Sequence, residues 1–151
     1  MTPKIDHSIG FMLNHAGRRM TQLLTSYYEP YEITTEQWSV LNRLAEEDGI
    51  NQKLLAIRAE KDQTNMTRIL DQLERKGLVE RSANAEDRRS FLIHITTQGR
   101  ALNDILLPIE KKVIDSLLQG FSEEQEANLR KLLSQLTNRA NELIKNMEET
   151  Q

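Results

Sequence analysis

The chain has 151 residues, a formal net charge of −3 and no cysteine. This length fits one domain, or one domain with a helical extension. The missing cysteine excludes disulfides, thiol nucleophiles, cysteine-ligated zinc and thiol redox sensing, and the acidic balance gives no sign of a nucleic-acid partner beyond what a small local basic face can supply.

The N-terminal stretch MTPKIDHSIG lacks the charged-then-apolar order of a signal peptide, and no apolar run approaches the ~18 residues of a membrane span. The expectation is a soluble cytoplasmic protein with no membrane partner. From Ile5 to Glu29 the apolar residues Ile9, Met12, Leu13, Ala16, Met20, Leu23, Leu24 and Tyr27 recur at helical spacing, and Pro30 ends the run. Thr34 and Gln37 form a capping box for a second helix, with Trp38, Leu41 and Leu44 on its apolar face and Gly49 as its stop. Asn51 caps a short third helix whose Leu54, Leu55 and Ile57 are expected to point inwards.

The helix from Asp62 to Gly77 has the sharpest pattern. Met66, Ile69, Leu70 and Leu73 are spaced i, i+3, i+4, i+7, while Thr64, Thr67, Arg68 and Asp71 fall ~200° away on the opposite face. Two strands follow, LVERSA and SFLIHI, joined by the charged stretch NAEDRRSF, which reads as a hairpin loop longer than a two-residue turn. In the second strand Phe91, Ile93 and Ile95 make one side fully apolar. Thr96 caps a helix to about Gln119, with Pro108 expected to kink it. Ser122 and Gln125 cap a last helix whose Leu129, Leu132, Leu133, Leu136, Ala140, Leu143, Ile144 and Met147 repeat the intervals of the first.

The fold class expected is mainly α with a small β-hairpin wing. It is a single domain over residues 1–151, with a winged helix-turn-helix lobe at 34–97 and helical dimerisation regions at 5–29 and 98–148. A lobe of this size cannot cover the long apolar stripes, so a two-fold homodimer is the economical solution.

A helix with short polar residues at its N-terminal end, followed by a hairpin, suits the major groove of duplex DNA. Gln63, Thr64, Asn65, Thr67 and Arg68 are the side-chain types such a surface needs. The wing would reach the neighbouring minor groove, where an arginine suits narrow A·T-rich DNA. Asp87 is placed to hold the Arg89 guanidinium, with Arg88 towards phosphate. Over Lys53 to Arg89 there are nine basic and seven acidic residues, so the lobe is slightly positive within a negative chain. The plainer alternatives are that Asp87-Arg88-Arg89 is a solvated turn and that Arg68 pairs with Asp71 or Glu60.

The run LLAIRAEKDQTNMTRILDQLERKGLVERSANAEDRRSFLIHITTQG resembles the core of the MarR (multiple-antibiotic-resistance regulator) family. The features that carry the resemblance are Leu-Glu-x-x-Gly-Leu-Val-x-Arg at Leu73 to Arg81, Asp-Arg-Arg at Asp87 to Arg89 and Ile-Thr-x-x-Gly at Ile95 to Gly99. The resemblance implies a dimeric, ligand-responsive transcription regulator, usually a repressor, on a near-palindromic site. It puts Asp87 and Arg89 at the family's wing pair. Without cysteine the chain departs from the thiol-based peroxide sensors.

Tyr27, Tyr28, Tyr31 and Trp38 lie where the first helix meets the lobe. They are either packing residues or, with His15 and Arg18 or Arg19, the lining of a site for a small aromatic or anionic effector. His7, His15 and His94 have no metal-ligand spacing, no cofactor motif is present, and no nucleophile elbow accompanies the Ser, His and Asp residues, so an enzyme is not expected. The competing reading is a winged-helix protein-interaction or scaffold module without DNA binding.

Overall fold

The computed structural model describes residues 4–151; residues 1–3 of the stretch inspected for a targeting signal lie outside it. In chain order the elements are α1 (Ile9–Tyr28), α2 (Thr35–Glu46), β1 (Ile50–Asn51), α3 (Gln52–Arg58), α4 (Gln63–Arg75), β2 (Val79–Asn84), β3 (Asp87–Ile95), α5 (Thr97–Leu117) and α6 (Glu123–Thr150). Two compact units result, one ending at Val113 and one running from Ile114 to Gln151.

Local chemistry sets most boundaries. Thr34 and Gln37 form the expected reciprocal box at α2. Asn51 and Asp62 accept the Leu54 and Asn65 backbone N–H groups at 2.7 Å each, starting α3 and α4. These side chains satisfy donors that a helix start would otherwise leave open. Ser122 and Gln125 do the same for α6. The first helix covers every position of its apolar periodicity but is shorter than the expected segment from Ile5 to Glu29. Ile5–His7 is a separate 3-10 turn, extended Ser8 follows, and α1 starts at Ile9. Pro30 lies inside a second 3-10 turn, Glu29–Tyr31, which ends in left-handed Glu32. The Lys76 ammonium donates to the Glu32 carbonyl and to Gln37 Oε1, tying this turn to the end of α4. Pro108 does not terminate α5, which continues nine residues past it to Leu117.

The core of the first unit is α4 wrapped by its neighbours. Met66, Ile69, Leu70 and Leu73 are fully buried with Val40, Leu41, Leu44, Leu55 and Ile93, and the same cluster takes in Tyr28 from α1 and Leu106 from α5. It therefore extends beyond residues 34–97. In α3 the inward side chains are Leu55 and Ala56; Ile57, expected inside, is 65% exposed. A helix of only seven residues has a narrow buried face, and Ile57 lies one step past it.

The sheet has three strands in the order β1-β3-β2, all antiparallel. The two-residue β1, Ile50 and Asn51 against Ile93 and Leu92, is too short to leave a periodic signature. The hairpin differs from the expected long loop. Asn84 pairs with Asp87 across a two-residue turn, and Ala83 pairs with Phe91, so Arg88, Arg89 and Ser90 form a bulge within β3. Asn84 replaces the usual Asn-Gly solution by accepting the Glu86 N–H and donating to Ser90 Oγ. Of the apolar side of β3, Ile93 and Ile95 are buried, while Phe91, at the outer end of the wing, is half exposed.

Gly99 and Thr96 explain the Ile-Thr-x-x-Gly motif. Thr96 Oγ1 donates to the Gly77 carbonyl and accepts the Gly99 N–H, so one hydroxyl ends α4 and starts α5. A Cβ on Gly99 would stand 2.2 Å from the Leu78 carbonyl oxygen. Gly99→Ala should force α5 off the strand and cost ~1–3 kcal/mol; urea unfolding of the variant checks this.

Tyr28 packs against Trp38 with ring centroids 5.6 Å apart, and its hydroxyl is buried without a protein partner. Burial, with a smaller contribution from Glu110, pushes its phenol up to about 12. The folded state therefore holds this proton where the unfolded chain, with an ordinary phenol near 10, releases it. The contribution to stability is whole below the unfolded pKa and is lost as the pH rises through the folded one. Tyr28→Phe should flatten that alkaline loss, read from denaturant midpoints across an alkaline pH series.

Candidate nucleic-acid interface

The buried stripe of α4 fixes which residues face out. Gln63, Thr64, Thr67 and Arg68 are exposed, and Asn65 is partly so. Thr67 Oγ1 donates back to the Gln63 carbonyl at 2.9 Å and accepts from Gln52 Nε2 at 2.8 Å. The side chains of Gln63 and Thr64 carry no hydrogen bond among the described residues. Arg68 pairs with neither Asp71 nor Glu60. Its Nη2 donates to Glu36 on α2 at 3.1 Å and to Asn65 Oδ1. Glu36 also lies 3.6 Å from the Lys61 ammonium. The Arg68 hydrogen bond, aided by Lys61, holds the Glu36 carboxyl below the usual carboxylate range despite some desolvation.

Asp71 is committed to Arg81 at 2.8 Å, and Arg81 also meets Glu74 at 3.4 Å and the Thr67 carbonyl at 3.4 Å. This mostly buried arginine of β2 ties the wing to α4. Between helix and wing runs an open cleft of about 610 Å³, lined among others by Gln52, Lys53, Gln63, Thr67, Arg81 and Arg89. On the wing, Asp87, Arg88 and Arg89 are exposed. Asp87 does not hold the Arg89 guanidinium as expected. Its carboxylate accepts the Arg89 backbone N–H at 3.0 Å, because the bulge folds that amide back onto it. The turn geometry is fixed, and neither guanidinium has an ion-pair partner among the described residues.

At the opposite end of the wing, Asp48 accepts the Gly49 and Ile95 N–H groups and Arg100 Nη2, and lies 4.0 Å from His94 Nδ1. His94 Nε2 is 3.2 Å from Ser82 Oγ. This Ser-His-Asp line is solvent-facing, and its carboxylate is already divided among three donors, so it anchors the sheet to the turn after α2.

The residues considered for an effector are not brought together. His15 stacks on Phe11 and Arg18 is exposed, both in the first half of α1. Trp38 packs on Tyr28. Tyr31 lines a separate cleft of about 440 Å³ with Lys76, Leu78, Gln98 and Leu102. Sequence reasoning missed Glu36, Gln52 and Lys61, whose partners are distant in the chain; for Arg81, its place in the Leu-Val-x-Arg motif was the available signal.

An exposed polar helix, a helix crossing behind it and a hairpin beside it define a winged helix-turn-helix protein. Residues 33–91 match the MarR family. The chain is 25% identical to the HTH-type transcriptional regulator SarZ of Staphylococcus saprophyticus, over 89% of this chain and 91% of that protein. It is 27% identical to the organic hydroperoxide resistance transcriptional regulator of Bacillus subtilis, over 88% and 87%. The structure of a MarR variant from E. coli complexed with operator DNA superposes with a TM-score of 0.82 at 27% identity, covering 89% of this chain and 99% of that one. Residues 33–91 thus carry the MarR-family match, within a chain similar to regulators of that kind over nearly its full length.

Proposed function

We propose that this protein is a transcription regulator that binds a near-palindromic duplex site as a homodimer, acting as a ligand-responsive repressor. The observation that carries the reading is the pairing of an exposed polar face on α4 with a wing whose Arg88 and Arg89 have no ion-pair partner among the described residues. Gln63 and Thr64 are free to meet base edges, and Arg89 is free to enter the adjoining minor groove. Arg88 is disposed towards phosphate. Likeness to a regulator solved on operator DNA supports this reading over a protein-interaction module. Among the described residues no helix is long and apolar enough to cross a membrane.

The homodimer is supported by two unpartnered stripes. Ile9, Met12, Leu13, Met20 and Leu23 of α1 are exposed, as are Leu129, Leu132, Leu133, Leu136, Leu143, Ile144 and Met147 of α6. Contiguous apolar faces on this scale mark an interface. Two lobes related by a two-fold axis would place their recognition helices in successive major grooves, ~34–36 Å apart. A small aromatic or anionic effector that binds one spacing better than another would shift DNA occupancy. The Tyr31 cleft, with Lys76 at its wall, is the more enclosed candidate for it than the His15 and Arg18 surface.

Gel shift against DNA upstream of its own gene, across a salt series, tests the assignment. Wild-type binding should fall steeply with salt, and Arg89→Ala should lose ~1–3 kcal/mol, most at A·T-rich flanks. An Arg89→Ala protein that binds like wild type throughout would remove the wing from the interface. Sedimentation equilibrium should give twice the chain mass, and Leu136→Glu should lower both that mass and DNA affinity.

A further inference from the structure

Glu36 belongs to α2, yet its carboxylate serves the face of α4. Oε2 accepts from Arg68 Nη2 at 3.1 Å, and Oε1 lies 3.6 Å from Lys61 Nζ, just ahead of the α4 N-cap. Asn65 Oδ1 takes the same Arg68 nitrogen. Arg68 Nε and Nη1 have no partner among the described residues. One edge of the guanidinium is thus clamped and the rest is left open.

This arrangement bears on how DNA is read. A free arginine on a flexible stem finds phosphate on any duplex, and phosphate contacts carry no sequence information. A clamped guanidinium has a fixed plane and a fixed set of donors, which is what base-edge recognition needs. The carboxylate also offsets the pull of Lys61 on phosphate and repels a backbone that approaches out of register. The side chains of the pair are about half exposed, 52% for Arg68 and 47% for Glu36, so the pair adds little to folding stability. Its geometry matters at the DNA surface.

We propose that Glu36 is a specificity-determining residue, clamping Arg68 for readout and suppressing sequence-independent phosphate binding by Arg68 and Lys61. This rests on the regulator reading above.

The test uses the full chain and two labelled duplexes. One is a sequence that the wild type selects from a random pool; the other is a scrambled duplex of equal length and composition. Glu36→Gln should bind the scrambled duplex several-fold more tightly, with a log–log salt slope steeper by about one phosphate contact. The selected duplex should gain less, so discrimination falls. Glu36→Asp keeps the charge but is one methylene too short for the clamp, and should lose discrimination with little change of slope. In an Arg68→Ala background the Glu36→Gln loss of discrimination should shrink to the smaller part that Lys61 contributes, since the clamp is one unit with Arg68. Melting temperatures should stay level across the set. Equal tightening on both duplexes would reduce the effect to bulk charge and overturn the proposal. So would a loss of discrimination that is undiminished without Arg68, or unchanged binding by both Glu36 variants. If the wild type selects no duplex at all, the regulator reading itself fails, which separates the two failures.

Discussion

The candidate nucleic-acid surface depends on the tie between Arg81 and α4. A hairpin has no reason of its own to stand at a given angle to a neighbouring helix. Here one guanidinium, mostly buried, donates to Asp71, to Glu74 and to the Thr67 carbonyl. A planar fork with several donors fixes an orientation in a way that a single ammonium would not. Helix and wing become one body, and the cleft between them acquires a set width. The Asp48 cluster holds the other end of the sheet to the turn after α2. The wing is thus fixed at its base and along one edge, and its outer end is left to Arg88, Arg89 and Phe91.

The sequence was most readable where a local rule decides the structure. Capping residues at Thr34, Asn51, Asp62 and Ser122 act within one turn, and all four are seen in their predicted roles. The α4 stripe was equally clear, because four large residues at helical intervals allow one inward face. Legibility failed where partners are distant or elements are short. The two-residue β1 exists only because β3 passes beside it. Ile57 looked like core because its neighbours were, and a seven-residue helix could not bury it. The wing turn was misjudged in length: Asn84 folds the chain back with its own side chain, and the charged residues taken for a tip form a bulge in β3.

For the interface the same division holds. That Thr64, Thr67 and Arg68 would be exposed followed from periodicity alone. That Arg68 would be held by a residue 32 positions earlier did not. Ionic contacts across elements depend on the rotamers of two long side chains, and no spacing rule encodes those. The expected Asp87–Arg89 ion pair turned out to be a carboxylate on a backbone amide. The two residues are coupled, but through the shape of the turn, with the guanidinium left free.

The packing of Trp38 on Tyr28 has a practical consequence. Trp38 is the only tryptophan in the chain, and it lies at the junction of α1 with the lobe. Its indole nitrogen is buried without a protein partner. The emission of the unlabelled protein therefore comes from one known place and reports the seating of α1 on α2. A signal confined to that junction distinguishes a rearrangement there from events at α4 and the wing.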